Sequence, residues 1–299
     1  MTPQLSGIIP PMTTPFTADG ELDLKSVKAQ MDWCIAQGVH GVAAGGSTGE
    51  GHTLDVDEYR ALMAATVEAA DGRIPVIAGI IVDSTRDAIR RGKAVRDLGV
   101  AALQVTPVHY LFRPDDAAMQ EHFRAMAEET GVPIMIYNVV PWSYLSPQLL
   151  CKIMREVPGV VGVKQSAGDL KLLADLLIMA APDDLIFTAV DALLYPSYAL
   201  GAHGSIAATL AAVPAACVEE WDAVKAGDHK RALAIHERLL RLWNVIATDN
   251  LPACVKYCQT VQGCPAGYPR APMPESSAAK KREIIDALAG LGVTTEAAG

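Results

Sequence analysis

The sequence predicts an α/β fold, a closed (β/α)8 TIM barrel with additional helices at its C-terminal end. Short apolar runs recur between residues 7 and 207, their apolar residues do not alternate with polar ones, and helical patterns separate each run from the next. Non-alternating runs are typical of strands that are buried on both faces of a parallel sheet. Strand and helix repeated eight times fit a closed barrel.

The eight predicted strands are residues 7–9, 41–44, 75–80, 101–105, 133–137, 160–164, 185–188 and 204–207. Helix-start signals lie between them, such as Ser84 three residues before Asp87, and Ser146 directly before Pro147. An open, doubly wound sheet is the alternative, but it usually has fewer strands and a glycine-rich fingerprint after the first one. Residues 7–11 read Gly-Ile-Ile-Pro-Pro and lack that fingerprint.

Strand patterns stop near residue 213, and only helical patterns follow. They cover residues 214–225, 229–246, 251–261 and 277–291, with a proline-rich linker at 264–274. We therefore predict two parts, a (β/α)8 barrel over residues 1–212 that carries the chemistry and a helical extension over residues 213–299.

Composition excludes several classes of function. A net charge of −9 and a pI near 5.3 disfavour a nucleic-acid partner. No apolar stretch approaches the roughly 20 residues of a membrane helix, and residues 1–6 lack a basic segment followed by a hydrophobic one. We predict a cytoplasmic protein without a membrane partner. The six cysteines lie mostly in apolar helical patterns and are interpreted as reduced core thiols rather than a metal site.

A lysine ends the sixth predicted strand. Lys164 follows the buried run 160–163 and precedes a polar turn, so it lies at the rim where barrel enzymes place their active sites. An apolar environment disfavours the ammonium form, and the neutral amine can attack a carbonyl carbon to form a Schiff base. Taken alone, such a residue is more often a solvated lysine that closes a strand, because strongly shifted pKa values are the minority case.

Other chemistry-bearing residues follow neighbouring strands. Residues 45–51 form a glycine-rich loop with the hydroxyls of Ser47 and Thr48, suited to a small carboxylate or simply to a tight turn. The loop lacks the Gly-Lys-Ser/Thr ending of a phosphate-binding loop. Tyr137 ends the fifth strand, where its phenol either closes the barrel by hydrogen bonding or moves protons.

Together these residues resemble the dihydrodipicolinate synthase/N-acetylneuraminate lyase family of class I, Schiff-base-forming pyruvate aldolases and related dehydratases. The resemblance covers essentially the whole chain. It rests on residues 7–16, the loop 46–50, and the pairs Thr106-Pro107, Tyr137-Asn138, Val163-Lys164 and Gly168-Asp169.

The resemblance implies roles at matching positions. Lys164 is expected to form the Schiff base and Tyr137 to shuttle protons. Ser47 and Thr48 are expected to bind the keto-acid carboxylate, with Thr48 also in a hydroxyl relay. Tyr110 is expected to complete that relay from a neighbouring subunit, which implies a homotetramer built as a dimer of dimers. The backbone of Ile206 is expected to lie against the keto acid. No cofactor or metal is implied beyond the covalent bond to Lys164.

Departures from the family pattern bear on the second substrate. Synthases of the family have Tyr-Asn-x-Pro followed by an arginine that holds the partner's carboxylate, whereas residues 137–142 read Tyr-Asn-Val-Val-Pro-Trp. Trp142 cannot form a bidentate carboxylate contact. It either packs the loop or walls the pocket. Ser166 and Asp191 are further candidate contacts. Ser166 favours a hydroxylated keto acid, whereas residues 189–191 argue against one, because they replace a glycine-containing segment of the sugar-acid members and retain only Asp191 as an obvious polar contact.

We therefore predict a lyase that acts on a 2-keto acid, as a pyruvate-dependent aldolase or a 2-keto-3-deoxy acid aldolase or dehydratase. A true dihydrodipicolinate (4-hydroxy-tetrahydrodipicolinate) synthase is an alternative, with Arg113 as a relocated carboxylate partner. A non-catalytic keto-acid sensor is another, but a sensor needs no reactive amine.

Overall fold

A computed structural model describes residues 5–248 and 250–295. It contains the eight predicted strands: β1 (Gly7–Ile8), β2 (Val42–Ala44), β3 (Val76–Ile80), β4 (Ala102–Val105), β5 (Ile134–Asn138), β6 (Val160–Gln165), β7 (Leu185–Thr188) and β8 (Gly204–Ser205). β1 ends one residue earlier than expected, before two prolines, which lack the N–H that a ladder needs. β8 is also shorter than expected.

All eight strands pair in parallel, in the spatial order β1-β8-β7-β6-β5-β4-β3-β2. Beyond β1, the Met12 amide donates to the Ala43 carbonyl (2.8 Å), and the Ala43 amide donates to the Pro10 carbonyl (2.9 Å). These bonds join the first strand to β2 and close the barrel. A Cβ atom on Gly204 would lie 2.1 Å from the Gly7 carbonyl oxygen, so the approach of β8 to β1 requires glycine.

Helices alternate with the strands as predicted. The barrel helices are α1 (Leu24–Ala36), α2 (Val56–Ala70), α3 (Thr85–Val95), α4 (Asp116–Thr130), α5 (Pro147–Glu156), α6 (Leu170–Met179), α7 (Leu194–Ala199) and α8 (Ala208–Ala212). Ser84 and Ser146 cap α3 and α5 with their side chains, as the sequence signals predicted. α9 (Pro214–Lys225), α10 (His229–Ile246), α11 (Leu251–Thr260) and α12 (Ala278–Gly290) follow.

The buried residues form three clusters. One contains Ile9, which follows β1, together with Ile77, Met135 and Phe187 from the alternate strands β3, β5 and β7, and it fills the barrel interior. A second packs α1 to α6 around the strands, and a third joins α9 to α12 with residues of the barrel such as Ile8. Because that third cluster spans residue 212, the proposed division into a barrel and an extension stays a prediction.

The cysteines and the helices were also considered in the sequence for disulfides and membrane spans. The six cysteines are buried, and none forms a disulfide within the described ranges. Over residues 5–248 and 250–295, no helix has the length and apolarity to cross a bilayer. Residues 1–4 of the N-terminal stretch considered above lie outside the described residues.

Candidate active site

A cavity of about 360 Å³ lies at the carboxyl ends of the barrel strands. Seven of the residues expected at the site line it: Ser47, Thr48, Tyr137, Lys164, Ser166, Asp191 and Ile206. They come from the ends of five different strands or from the turns that follow. The barrel thus brings together side chains that are far apart in the sequence.

Lys164 is nearly at the end of β6, and only 3% of its surface is exposed. Burial lowers the pKa of its amine to about 7, and the negative charge of Asp191 opposes that shift. A large fraction of the amine is therefore neutral near pH 7, whereas a solvated lysine with a pKa of about 10.4 is almost fully charged. Lys164 has the protonation state that a nucleophile needs.

Tyr137 is paired with Lys164 in the register of β5 and β6. The Lys164 Nζ atom lies 3.6 Å from the centroid of the Tyr137 ring. Burial raises the pKa of the phenol to about 12, while interactions with the Ser47 and Ser166 hydroxyls oppose the shift. The phenol consequently carries its proton at neutral pH and can donate it to an intermediate formed on the amine.

Asp191 begins a short 3-10 turn after β7 and is buried. Its Oδ1 atom accepts a hydrogen bond from the Thr209 amide (2.6 Å). Burial raises the pKa of this carboxyl, whereas the bond from Thr209 and the charge of Lys164 lower it. Its carboxylate faces the cavity as an acceptor that suits a hydroxyl or an amine.

The glycine-rich loop after β2 is folded tightly on itself. The Glu50 amide donates to the Ser47 carbonyl, and the Gly51 amide donates to the Gly46 carbonyl (3.0 Å each). A Cβ atom on Gly51 would lie 1.8 Å from the Gly45 carbonyl oxygen, so only glycine fits there. This folding leaves Ser47 exposed in the cavity and Thr48 buried beside it.

Asn138, the residue after Tyr137, fixes the loop that follows β5. Its side-chain amide donates to the Leu145 carbonyl (3.1 Å), and its Oδ1 atom accepts from the Leu145 amide (2.9 Å). It also donates to Gln165 on β6 (3.2 Å). Of these two adjacent residues, Tyr137 lines the cavity and Asn138 fixes the loop at the rim of the barrel.

The structure does not bring Tyr110 and Trp142 to the cavity of this chain. They are 65% and 67% exposed. The Trp142 indole donates to the His109 carbonyl (2.8 Å), and the Tyr110 amide donates to Asp83 Oδ1 (2.9 Å). Trp142 therefore braces the loop that carries Tyr110. The expected relay from a neighbouring subunit stays a prediction.

Part of the cavity wall was not expected from the sequence. Val139 and Val190 follow strands, whereas Trp243 lies in the last turn of α10, and Leu251 and Pro252 begin α11. Each helical pattern indicated an apolar face but not what that face covers. Their positions after strands could have placed Val139 and Val190 at the rim, whereas no sequence signal could have placed Trp243, Leu251 and Pro252 at the cavity.

The polar groups around the cavity suit a covalent intermediate on the Lys164 amine. Within the described parts of the chain, no three His, Cys, Asp or Glu residues lie close enough to hold an ion. The groups that converge on the cavity are one amine, one phenol, three hydroxyls and one carboxyl, from Lys164, Tyr137, Ser47, Thr48, Ser166 and Asp191.

Comparison with known proteins gives consistent matches over nearly the full length. The family model described as the dihydrodipicolinate synthetase family matches residues 4–290. A 4-hydroxy-tetrahydrodipicolinate synthase of Methanopyrus kandleri is 32% identical over 98% of both chains. The dihydrodipicolinate synthase structure from Aquifex aeolicus has a TM-score of 0.91 at 26% identity, covering 98% of this chain and 100% of that one.

A further solved structure is similar and contains a ligand. It is a prophage protein of the dihydrodipicolinic acid synthase family from E. coli K12, determined in complex with pyruvate. It has a TM-score of 0.92 at 25% identity, and the match covers 97% of this chain and 99% of that one.

Proposed function

Because this chain belongs to the dihydrodipicolinate synthetase family of lyases, we propose that it forms a Schiff base between Lys164 and a 2-keto acid and makes or breaks a bond at C3. The observation that carries this proposal is the buried Lys164 amine, with its pKa lowered to about 7, on the face of the Tyr137 ring. In this proposal Lys164 forms the Schiff base, Tyr137 transfers protons, and Ser47 and Thr48 bind the carboxylate. The other residues expected at the site keep the roles that the family resemblance implies.

The reaction begins when the keto-acid carboxylate binds to the Ser47 and Thr48 hydroxyls. The neutral Lys164 amine attacks C2 to give a carbinolamine, and Tyr137 transfers protons while the C2 hydroxyl leaves as water. The resulting iminium ion accepts the electron pair released at C3. Retro-aldol cleavage, aldol addition and loss of a β-hydroxyl group all pass through this ion, so no cofactor is needed.

Pyruvate is the proposed keto acid for the aldol direction. The complex of the E. coli K12 relative with pyruvate supports this choice. The second substrate is proposed to be an aldehyde without a carboxylate of its own. Of the described residues that line the cavity, Lys164 is the one basic residue, and Val139, Trp243, Leu251 and Pro252 form an apolar wall. An ionised Asp191 would also repel a second carboxylate.

A 4-hydroxy-tetrahydrodipicolinate synthase is the second candidate, because curated relatives that are 31% to 35% identical carry that name. That reaction needs a cation for the aldehyde's carboxylate. Arg113, the alternative named above, is bound to Asp116 (2.7 Å) and does not line the cavity of this chain. A non-catalytic sensor would not need an amine with a lowered pKa, so that alternative is disfavoured.

We also propose the homotetramer implied by the family resemblance. The loop that carries Tyr110 exposes Leu111 (85%) and Phe112 (64%) next to Trp142. Apolar side chains exposed this far and so close together are typical of a protein interface.

Borohydride trapping tests the proposal. Wild-type protein incubated with pyruvate and borohydride should gain the mass of one reduced pyruvoyl adduct per chain. Lys164→Ala should gain none, and Lys171→Ala, which changes an exposed lysine on α6, should behave as wild type. An unmodified wild type, or an adduct that persists in Lys164→Ala, would contradict the Schiff-base mechanism.

An aldehyde panel then separates the two candidates. Pyruvate is supplied with aspartate semialdehyde, with a hydroxyaldehyde or with an aryl aldehyde, and pyruvate consumption is followed. The proposal expects turnover with an uncharged aldehyde. Turnover with aspartate semialdehyde alone would establish the synthase instead.

A further inference from the structure

A buried ion pair joins the glycine-rich loop after β2, which is proposed to bind the keto-acid carboxylate, to the C-terminal helices. The Lys256 Nζ atom on α11 lies 2.6 Å from Glu50 Oε1, and the two side chains are only 2% and 1% exposed. The other oxygen, Glu50 Oε2, accepts a hydrogen bond from the Arg270 amide (2.8 Å). Lys256 also donates to the Tyr268 carbonyl (2.5 Å). Both oxygens of the Glu50 carboxylate are therefore bound to the C-terminal part of the chain.

Glu50 is also an integral part of the loop that presents Ser47 and Thr48. It has a left-handed backbone (φ 54°), and its amide closes the turn onto the Ser47 carbonyl. Its carbonyl accepts from the Thr53 hydroxyl (2.8 Å). A non-glycine residue in this conformation is strained and is retained only where its surroundings hold it. The side-chain anchor from Lys256 supplies that constraint.

We propose that Lys256 is a positioning residue that, through Glu50, sets the Ser47 and Thr48 hydroxyls where the keto-acid carboxylate binds. This inference rests on the proposed function, because it needs the loop to bind a carboxylate. Lys256 does not line the cavity, so it acts on the substrate only through the loop.

Stability alone explains the pair poorly. Both charges lose their hydration on burial, and well-packed apolar residues commonly stabilise a fold as well as a buried ion pair does. What an ion pair adds is a fixed geometry. α11 also contributes Leu251 and Pro252 to the cavity wall. One helix therefore contributes both to the apolar wall and, through Lys256, to the position of the polar loop.

The test measures how much pyruvate is needed to trap the protein with borohydride. Lys256→Met removes the charge and keeps most of the side chain's length. Glu50→Gln removes the other charge and keeps its shape. We expect the half-saturating pyruvate concentration to rise about tenfold or more in each, since displacing a binding group by about 1 Å can cost about a hundredfold. At saturating pyruvate both should still trap fully, because Lys164 and Tyr137 are unchanged.

Glu220→Gln is the matched control. Glu220 is a fully buried carboxylate bound to His236 Nδ1 (2.9 Å), and neither residue lines the cavity. We expect it to lower thermal stability without changing the half-saturating concentration. If Lys256→Met does not fold, Glu50→Gln carries the same test.

The outcomes distinguish the two proposals. A wild-type protein that cannot be trapped overturns the proposed function. A wild type that is trapped, with folded Lys256→Met or Glu50→Gln half-saturating at the wild-type concentration, overturns the positioning role and leaves the function intact. An equal rise in the Glu220→Gln control would likewise overturn it, because the effect would then follow from lost stability alone.

Discussion

The Nζ atom of Lys164 lies 3.6 Å from the centroid of the Tyr137 ring, and the two residues are paired across β5 and β6. An aromatic face attracts an ammonium ion and so favours the charged form of the amine. Burial acts in the opposite direction and is the stronger effect, since the pKa of Lys164 falls to about 7. The amine therefore lies on the face of the Tyr137 ring, and a large fraction of it is still neutral near pH 7.

Tyr137→Phe is expected to separate these two contributions of the tyrosine. The variant keeps the ring against Lys164 and loses only the phenol, so it should fold and bind pyruvate. The rate of trapping by borohydride should fall about 10²- to 10⁴-fold, the usual contribution of a positioned proton donor.

The control for this variant is Tyr144→Phe. Tyr144 lies in the loop after β5 and does not line the cavity. It should trap at the wild-type rate. A Tyr137→Phe rate within a factor of about three of wild type would show that the phenol moves no essential proton, because that factor is far below the expected loss.

The rate of Schiff-base formation is expected to rise with pH through the pKa of Lys164. The neutral amine makes up about a tenth of the total at pH 6 and about nine tenths at pH 8 for a pKa near 7. The trapping rate measured from pH 5.5 to 9 should therefore level off above about pH 8. A rate still climbing in proportion to hydroxide at pH 9 would indicate an ordinary lysine with a pKa near 10.

Asp191→Asn should move that profile. The Asp191 charge raises the pKa of Lys164, so its removal is expected to shift the rise of the trapping rate towards lower pH. Asparagine retains an oxygen that can accept the Thr209 amide. A profile that stays in place would mean that Asp191 is neutral in the free protein, and a move to higher pH would contradict the charge effect proposed for Asp191.

How much of this site was predictable depended on where each residue lies relative to a strand. Lys164, Tyr137 and Ser47 could be placed together because residues that end barrel strands share one rim. Trp243 could not, because α10 has an ordinary amphipathic pattern, and which part of the barrel its face covers depends on tertiary packing. Tyr110 remains exposed in this chain, and its expected role depends on a second subunit.

The bounds of the strands and of the C-terminal helices were predictable to within two residues. α9 and α10 have the bounds expected from their periodicity, and the strands differ mainly at their ends. Hydrophobic periodicity reports burial directly, whereas the exact end of a strand depends on hydrogen-bond geometry. The shortening of β1 is explained by Pro10 and Pro11.

His122 on α4 is expected to destabilise the protein in acid. Burial lowers its pKa to about 4, and its Nδ1 atom is bound to the Thr85 hydroxyl (2.9 Å). The unfolded chain takes up the proton near pH 6.5 and the folded chain only near pH 4. The stabilisation is therefore complete above about pH 6.5 and is lost as the pH falls towards 4, by about 3 kcal/mol in all.

The measurement is the unfolding free energy of wild type and His122→Asn between pH 4 and 8. Asparagine can replace the contact of Nδ1 with Thr85, and a constant packing cost drops out when slopes are compared. The variant should show a smaller loss of stability below pH 6.5, and His52→Asn, at an exposed histidine, should follow wild type. Equal slopes for wild type and His122→Asn would exclude His122 as a source of the acid sensitivity.

Trp243→Ala should act on the second substrate and leave the first unaffected. Trp243 lines the cavity from α10, whereas the proposed carboxylate site is formed by Ser47 and Thr48 after β2. Because the indole offers a large apolar surface, we expect its loss to raise the KM for an apolar aldehyde about tenfold or more. The half-saturating concentration of pyruvate in borohydride trapping should stay within about twofold of wild type, since no pyruvate contact is removed.

Trp33→Ala on α1, which removes an indole outside the cavity, controls for a general loss of packing. If Trp243→Ala raised the pyruvate requirement and left the aldehyde KM unchanged, the keto acid itself would have to lie against α10, and the assignment of the two ends of the cavity would be reversed.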